Sequence, residues 1–211
     1  MGEISHFTFR RMTDNIQRFR KFVQDMTALV ERRAGDEAAL LDEGEKLLRE
    51  LVTHDDWLPE EFARPSPDSY RQYLLHCDPL ERFSVVSFVW QPGQKTPVHD
   101  HTVWGLVGVM RGEELCEEYA PGKPMRMTGS HRVGPGDIDR VSPRIGDVHV
   151  VSNATPDRTA ISIHVYGANI GALSRHTFDP ASGAPREFVS GYHNGVTPNL
   201  WDRSREGRAA T

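Results

Sequence analysis

His99-Asp100-His101 follows a Pro-Gly turn at Gln91-Pro92-Gly93-Gln94 and runs on into an apolar stretch. If that stretch is a strand, residues i and i+2 share a face, so both imidazoles can enter one cavity while Asp100 points elsewhere. A third histidine, His149, stands in the strand-like run Gly146-Asp147-Val148-His149-Val150-Val151-Ser152-Asn153. A closed or nearly closed sheet can bring it opposite the first pair. Imidazole is the commonest metal ligand and suits iron, copper, nickel and zinc. Downstream, Ser162, His164 and Tyr166 stand at i, i+2 and i+4. On one strand face they form an inward row that can hydrogen-bond along its length. The remaining histidines (His6, His54, His76, His131, His176 and His193) fall in no motif and read as solvated or structural. Glu113, Glu114, Glu117 and Glu118 read as a solvated strand-and-turn face, not a second metal site.

Positioning such groups takes a body of strands, and the chain supplies one behind a helical front. Ile16, Phe19, Phe22, Val23, Met26, Leu29 and Val30 recur at helical steps, with Thr13 or Asp14 as the expected N-cap and Gly35 as the break. Leu40, Leu41, Leu47, Leu48, Leu51 and Val52 form a second stripe, and a third short helix is expected over Ser69 to His76. After Asp78 the texture changes to β-branched and aromatic runs, Phe83 to Trp90, Val103 to Met110, Asp147 to Ser152 and Thr159 to Tyr166. Pro-Gly turns separate them. Short strands at this spacing indicate an antiparallel sandwich or barrel. The expected organisation is one domain over 1–211. Helices at 13–78 pack on a β-barrel at 79–180, and a polar segment at 181–211 ends in a frayed tail.

Gly93, His99, His101 and Gly112, followed by Gly136, Pro143, Gly146, His149 and Asn153, resemble the two signature motifs of the cupin superfamily over about residues 83–167. The resemblance implies a mainly β, jelly-roll-like small barrel, here with an N-terminal α-helical subdomain. The second motif is stretched by a residue on each side of Pro143, and the Glu that most cupins carry after the HxH pair is absent, with Gly105 near its place. Three neutral imidazoles leave the full dication charge on a metal, which favours anionic ligands, a thiolate above all. A three-histidine zinc hydrolytic site is also compatible with these residues. His-Asp-His-Thr at 99–102, Gly146-Asp147-Val148-His149 and Ser162-Ile163-His164-Val165-Tyr166 together resemble the thiol dioxygenases of the cysteine dioxygenase family. That resemblance implies Fe(2+) held by His99, His101 and His149, with Ser162, His164 and Tyr166 as the outer Ser-His-Tyr array.

Two departures refine it. The cysteine that mammalian members cross-link to the active-site tyrosine aligns near Gly105, so no thioether is expected on Tyr166, and Cys116 lies too far along to replace it. Gln72 stands where those members carry a carboxylate-binding Arg, with Arg71 beside it pointing elsewhere if the segment is regular. Both features resemble the bacterial Gln-type branch, which implies 3-mercaptopropionate as substrate, 3-sulfinopropionate as product, Arg175 on the carboxylate and Gln72 as an orienting group. Trp104 is placed either in the core or in the pocket wall. Alternatives are cysteine, cysteamine or mercaptosuccinate as the thiol, a non-catalytic metal-binding cupin sensor, and a zinc hydrolase.

The resemblance implies a small thiol acid and O2 as partners, and composition argues against macromolecular ones. A net charge of -5 gives no global attraction to nucleic acid or anionic lipid. No stretch reaches the ~20 apolar residues of a membrane span. The two cysteines, Cys77 and Cys116, cannot form a disulfide framework, and the N-terminal sequence has no apolar signal-peptide core. A cytoplasmic protein is therefore expected.

Overall fold

The computed structural model describes the backbone of residues 6–202 and the side chains of residues 16–202. Two helices lead, α1 at His6–Arg32 and α2 at Glu37–Val52. Gly35, at φ +84°, supplies the left-handed turn between them, and the Asp36 carboxylate caps α2 by accepting from Ala39 N at 3.1 Å. The apolar stripes anticipated on both helices are buried except Ile16 and Leu47, which are partly buried. The first helix starts upstream of the expected caps, so Thr13 and Asp14 lie inside it. A capping preference of ~1 kcal/mol does not stop a helix by itself.

Eleven strands follow the helices: β1 Arg71–Cys77, β2 Ser84–Trp90, β3 Val98–His99, β4 Gly105–Arg111, β5 Glu114–Ala120, β6 Arg126–Val133, β7 Ile138–Val141, β8 His149–Asn153, β9 Ala160–Tyr166, β10 Arg175–Phe178 and β11 Pro185–Phe188. They form a five-stranded sheet, β1-β2-β9-β4-β7, and a six-stranded sheet, β11-β10-β3-β8-β5-β6. Every strand pairing is antiparallel. This is the mainly β, two-sheet cupin arrangement that the motifs imply, with helices packed on one sheet.

Strand parity explains how the five-stranded sheet serves two cores. On β9, Ile161, Ile163 and Val165 join the helical core, while Ala160 and Tyr166 belong to the cluster between the sheets. On β2, Val85 and Val89 face the helices, and Val86, Phe88 and Trp90 face inward. Both strands are buried along their whole length because both faces are covered. The helices sit close: a Cβ added to Gly108 of β4 would lie 3.1 Å from Leu48 and from Val52 of α2.

Three expectations are corrected here. Ser69 to His76 is not a helix, because its backbone pairs with β2 as the edge strand β1. A register shift between Leu74 and His76 alters the strand's parity, so the buried residues Gln72 and Leu75 fall three apart and imitate a helical period. The barrel therefore begins at Arg71, inside the span assigned to helices. The segment after residue 180 is more than a polar tail, since β11 pairs with β10 and Leu200 is buried, accepting from Arg20 Nε at 2.5 Å. Residues 203–211, the expected frayed tail, lie outside the described residues. Glu114, finally, is not solvated: it is 1% exposed.

Candidate active site

His99 ends β3 and His149 begins β8, and the two are direct cross-strand partners. His101 lies beyond the end of β3, so it reaches the same place from a turn and not by strand alternation. That turn holds Thr102 at φ +61°, a conformation that costs a non-glycine residue energy. The Asp147 carboxylate offsets the cost. One oxygen accepts from the backbone N–H of His101 at 3.0 Å and of Thr102 at 2.9 Å; the other lies 2.9 Å from His101 Nδ1. Asp147 thus builds the turn and orients the imidazole together. Its signal was its place two residues before His149, with no role attached.

The three rings form a near-equilateral triangle, with centroids 4.8–4.9 Å apart. Each Nδ1 is engaged outward: His99 with Pro97 O at 3.1 Å, His101 with Asp147, and His149 with the Cys116 sulfur at 3.3 Å. The free nitrogen of each ring is therefore Nε2, and the three histidines offer ligand atoms within 4.8 Å of one another. Burial pushes His99 down to about 3 and lowers His149 strongly, so both rings are neutral donors. Three convergent imidazoles with supported outer nitrogens fit a divalent transition metal. The three histidines that the sequence singles out meet in space.

The Ser-His-Tyr row is equally continuous. Ser162 Oγ lies 2.7 Å from His164 Nε2, and His164 Nδ1 lies 2.8 Å from the Tyr166 hydroxyl. Burial depresses His164 far below an ordinary histidine and raises the Tyr166 phenol. Phe88 stacks on His164 at 4.1 Å, and the Tyr166 ring stacks on His101 at 5.3 Å. The row therefore ends against one of the three clustered histidine rings. Gly105 pairs with Tyr166 across the sheet, and a Cβ there would sit 2.8 Å from Tyr166 Cδ1. This is the place a cross-linking cysteine needs, and this chain has glycine in it.

Both groups open into one pocket of about 220 Å³, also lined by Tyr70, Gln72, Arg175, Phe188 and Ser190. Arg175 is 4% exposed, donates to Ser190 Oγ at 2.7 Å, and lies over the Phe188 ring at 4.7 Å. Its Nε is buried without a partner, and among the described residues no carboxylate pairs with it. Asp100 lies nearby but turns away: it accepts from His176 N at 2.7 Å and lies 2.9 Å from His176 Nδ1, tying β3 to the strand that carries Arg175. Gln72 donates to Ser190 Oγ at 2.9 Å and to Gly191 O at 2.7 Å. Both amide protons are engaged there, so Gln72 supports the Ser190–Arg175 pair. Arg71 bonds Ser66 and stays outside the pocket, as expected. Trp104 is not in the pocket wall; it packs against the helical core. Among the other histidines, His193 accepts from Gln72 N at 3.0 Å and His131 lies 3.1 Å from Asp139. His6 lies outside the described side chains.

Comparison with known proteins places these features in a family. Solved structures similar to parts of the chain include a Thermus thermophilus protein, at 21% identity over 52% of this chain and 92% of that one, TM-score 0.41. Another is a Klebsiella pneumoniae protein with a double-stranded β-helix domain, at 26% identity over 53% and 89%, TM-score 0.41. A third is a cupin-like protein of Thermotoga maritima, at 25% identity over 49% and 75%, TM-score 0.36. The family model described as cysteine dioxygenase type I matches residues 17–179, a span that takes in both helical stripes, the three histidines, the Ser-His-Tyr row and Arg175. The chain belongs to the cysteine dioxygenase type I family.

Proposed function

We propose that this protein is an iron(II)-dependent thiol dioxygenase that converts 3-mercaptopropionate and O2 to 3-sulfinopropionate, with both oxygen atoms ending on sulfur. Family membership supports the reaction class. One observation carries the substrate: Arg175 presents a buried guanidinium without a carboxylate partner in the same pocket as the three histidines. A guanidinium fork matches a substrate carboxylate bidentately. Among the described residues no Asp or Glu lines the pocket, so an α-ammonium group would find no anionic partner, which favours a mercapto-acid over cysteine.

His99, His101 and His149 would hold the metal, which supplies the O2 and thiolate chemistry when bound. The protein's own groups do the rest. Arg175 and Ser190 anchor the acid end, Phe88, Trp90 and Tyr70 keep water away, and His164 holds the Tyr166 hydroxyl at the pocket. Burial keeps that phenol protonated, so it remains a hydrogen-bonding group throughout the working pH range. Free thiols at Cys77 and Cys116 suit the reducing cytoplasm. Among the described residues no helix is long and apolar enough to cross a membrane.

Arg175→Ala tests the substrate assignment. Losing a charge-assisted pair in a desolvated pocket costs ~2–5 kcal/mol, so kcat/KM for 3-mercaptopropionate should fall by roughly 30-fold or more. Cysteamine, which has no carboxylate, should change little. Gln72→Ala should give a milder loss, about tenfold or less, because it acts through neutral hydrogen bonds. Equal losses for acid and amine thiols in Arg175→Ala would make the arginine structural and remove the mercapto-acid reading.

A further inference from the structure

The Ser162–His164–Tyr166 row has an interior end, and a carboxyl group faces it. Glu114 of β5 is 1% exposed, and both its oxygens are buried without a hydrogen bond of good geometry. The Ser162 hydroxyl and the Trp90 indole N–H lie close enough to act on it electrostatically. Trp90 Nε1 in turn lies 3.4 Å from Ser162 Oγ. An acid with two unsatisfied oxygens inside a protein needs a reason, because leaving such a group unpaired is costly.

We propose that Glu114 is the inner terminus of the row and that its protonation state sets which way the hydrogen bonds run as far as Tyr166. With Glu114 ionised, Ser162 donates to the carboxylate, His164 Nε2–H donates to Ser162, and the Tyr166 hydroxyl donates to His164 Nδ1. The tyrosine oxygen then offers only lone pairs to the pocket. With Glu114 protonated, its hydroxyl donates to Ser162, Ser162 donates to His164 Nε2, and His164 Nδ1–H donates to the Tyr166 oxygen. The tyrosine proton is then free to point at a bound substrate. One proton added at Glu114 reverses the Ser162–His164 and His164–Tyr166 hydrogen bonds, and His164 stays neutral in both states. Trp90 can donate to Ser162 in either state.

The surroundings let this switch work near neutral pH. Burial pushes Glu114 up to about 7, opposed by the Ser162 and Trp90 donors and reinforced by the field of Asp139 on β7. Its own strand adds Cys116, and β9 adds His164 and Tyr166; the cross-strand neighbours Val133 and Asn153 are uncharged. Glu114 is a positioning residue, since it acts on the pocket through the row. This inference rests on the role proposed above for His164 in holding the Tyr166 hydroxyl at the pocket.

Infrared difference spectroscopy of the iron(II)-loaded protein without O2 tests it directly. A protonated-carboxyl band should titrate with a midpoint near pH 7 and be missing in Glu114→Gln, and a tyrosine ring band that Tyr166→Phe removes should shift over the same range. In Ser162→Ala the carboxyl band should still titrate while the tyrosine band stops following it. A carboxyl band absent from wild type, or a Tyr166 band indifferent to it, overturns the proposal. So does a Tyr166 band that still follows it in Ser162→Ala. Because the readout needs no turnover, protein that oxidises no thiol would refute the proposed function and leave the Glu114 question decided by the spectra.

Discussion

At the scale of single residues, the site is made by buried polar groups whose charge states burial has fixed. His99, His149 and His164 are held neutral, and Arg175 keeps an unmatched positive charge. Glu114 is the group whose state can change near neutrality, and it leaves a signature in stability. An ordinary Glu loses its proton near ~4.3, whereas folded Glu114 keeps it to about 7. Between those values the folded state binds a proton that the unfolded chain has lost, so this group's contribution falls as pH rises through the window and is flat above it. Glu114→Gln cannot ionise and should escape the loss. Denaturant titration at about pH 4 should find the two proteins similar; at about pH 8 the variant should be more stable by about 3 kcal/mol. A constant difference across that range would show that Glu114 does not hold its proton in the fold.

At the scale of elements, strand parity made much of the site legible and broken parity hid the rest. Ser162, His164 and Tyr166 face one way because β9 is regular, which is what i, i+2, i+4 spacing says. His99 and His149 meet because β3 and β8 are neighbours. His101 departs from the pattern: the chain turns at Thr102, and the Asp147 carboxylate holds that turn. Register irregularity in β1 produced a false helical period, and a run of acidic residues around Glu114 looked solvated because sequence does not say which member faces inward. β11 was invisible because Pro185–Phe188 is a mostly exposed edge strand. Contact between β4 and β9 gives a direct test. Gly105→Ala puts a methyl group within 2.8 Å of both Tyr166 and Val141, so the phenol must move. Overpacking of this kind costs ~1–3 kcal/mol. The variant should bind iron(II) as wild type does yet turn over several-fold more slowly, whereas unchanged turnover would show that Tyr166 has room to spare.

On the scale of the whole molecule, the helices cover the outer face of the five-stranded sheet, and the three clustered histidines stand on or next to the six-stranded one. The pocket lies between, with the row on one wall and Arg175 on the other. The protein carries net charge -5, yet the proposed anionic substrate would meet Arg175 and the proposed metal of the three histidines, so attraction is local to the pocket. Turnover of a thiol panel by the iron(II)-loaded protein, with sulfinate formed counted against O2 consumed, decides whether these groups form a thiol dioxygenase. The expected result is one sulfinate per O2, the highest kcat/KM for 3-mercaptopropionate, and no product when O2 is withheld. Product formed without O2, or O2 consumed with no sulfinate, would contradict it.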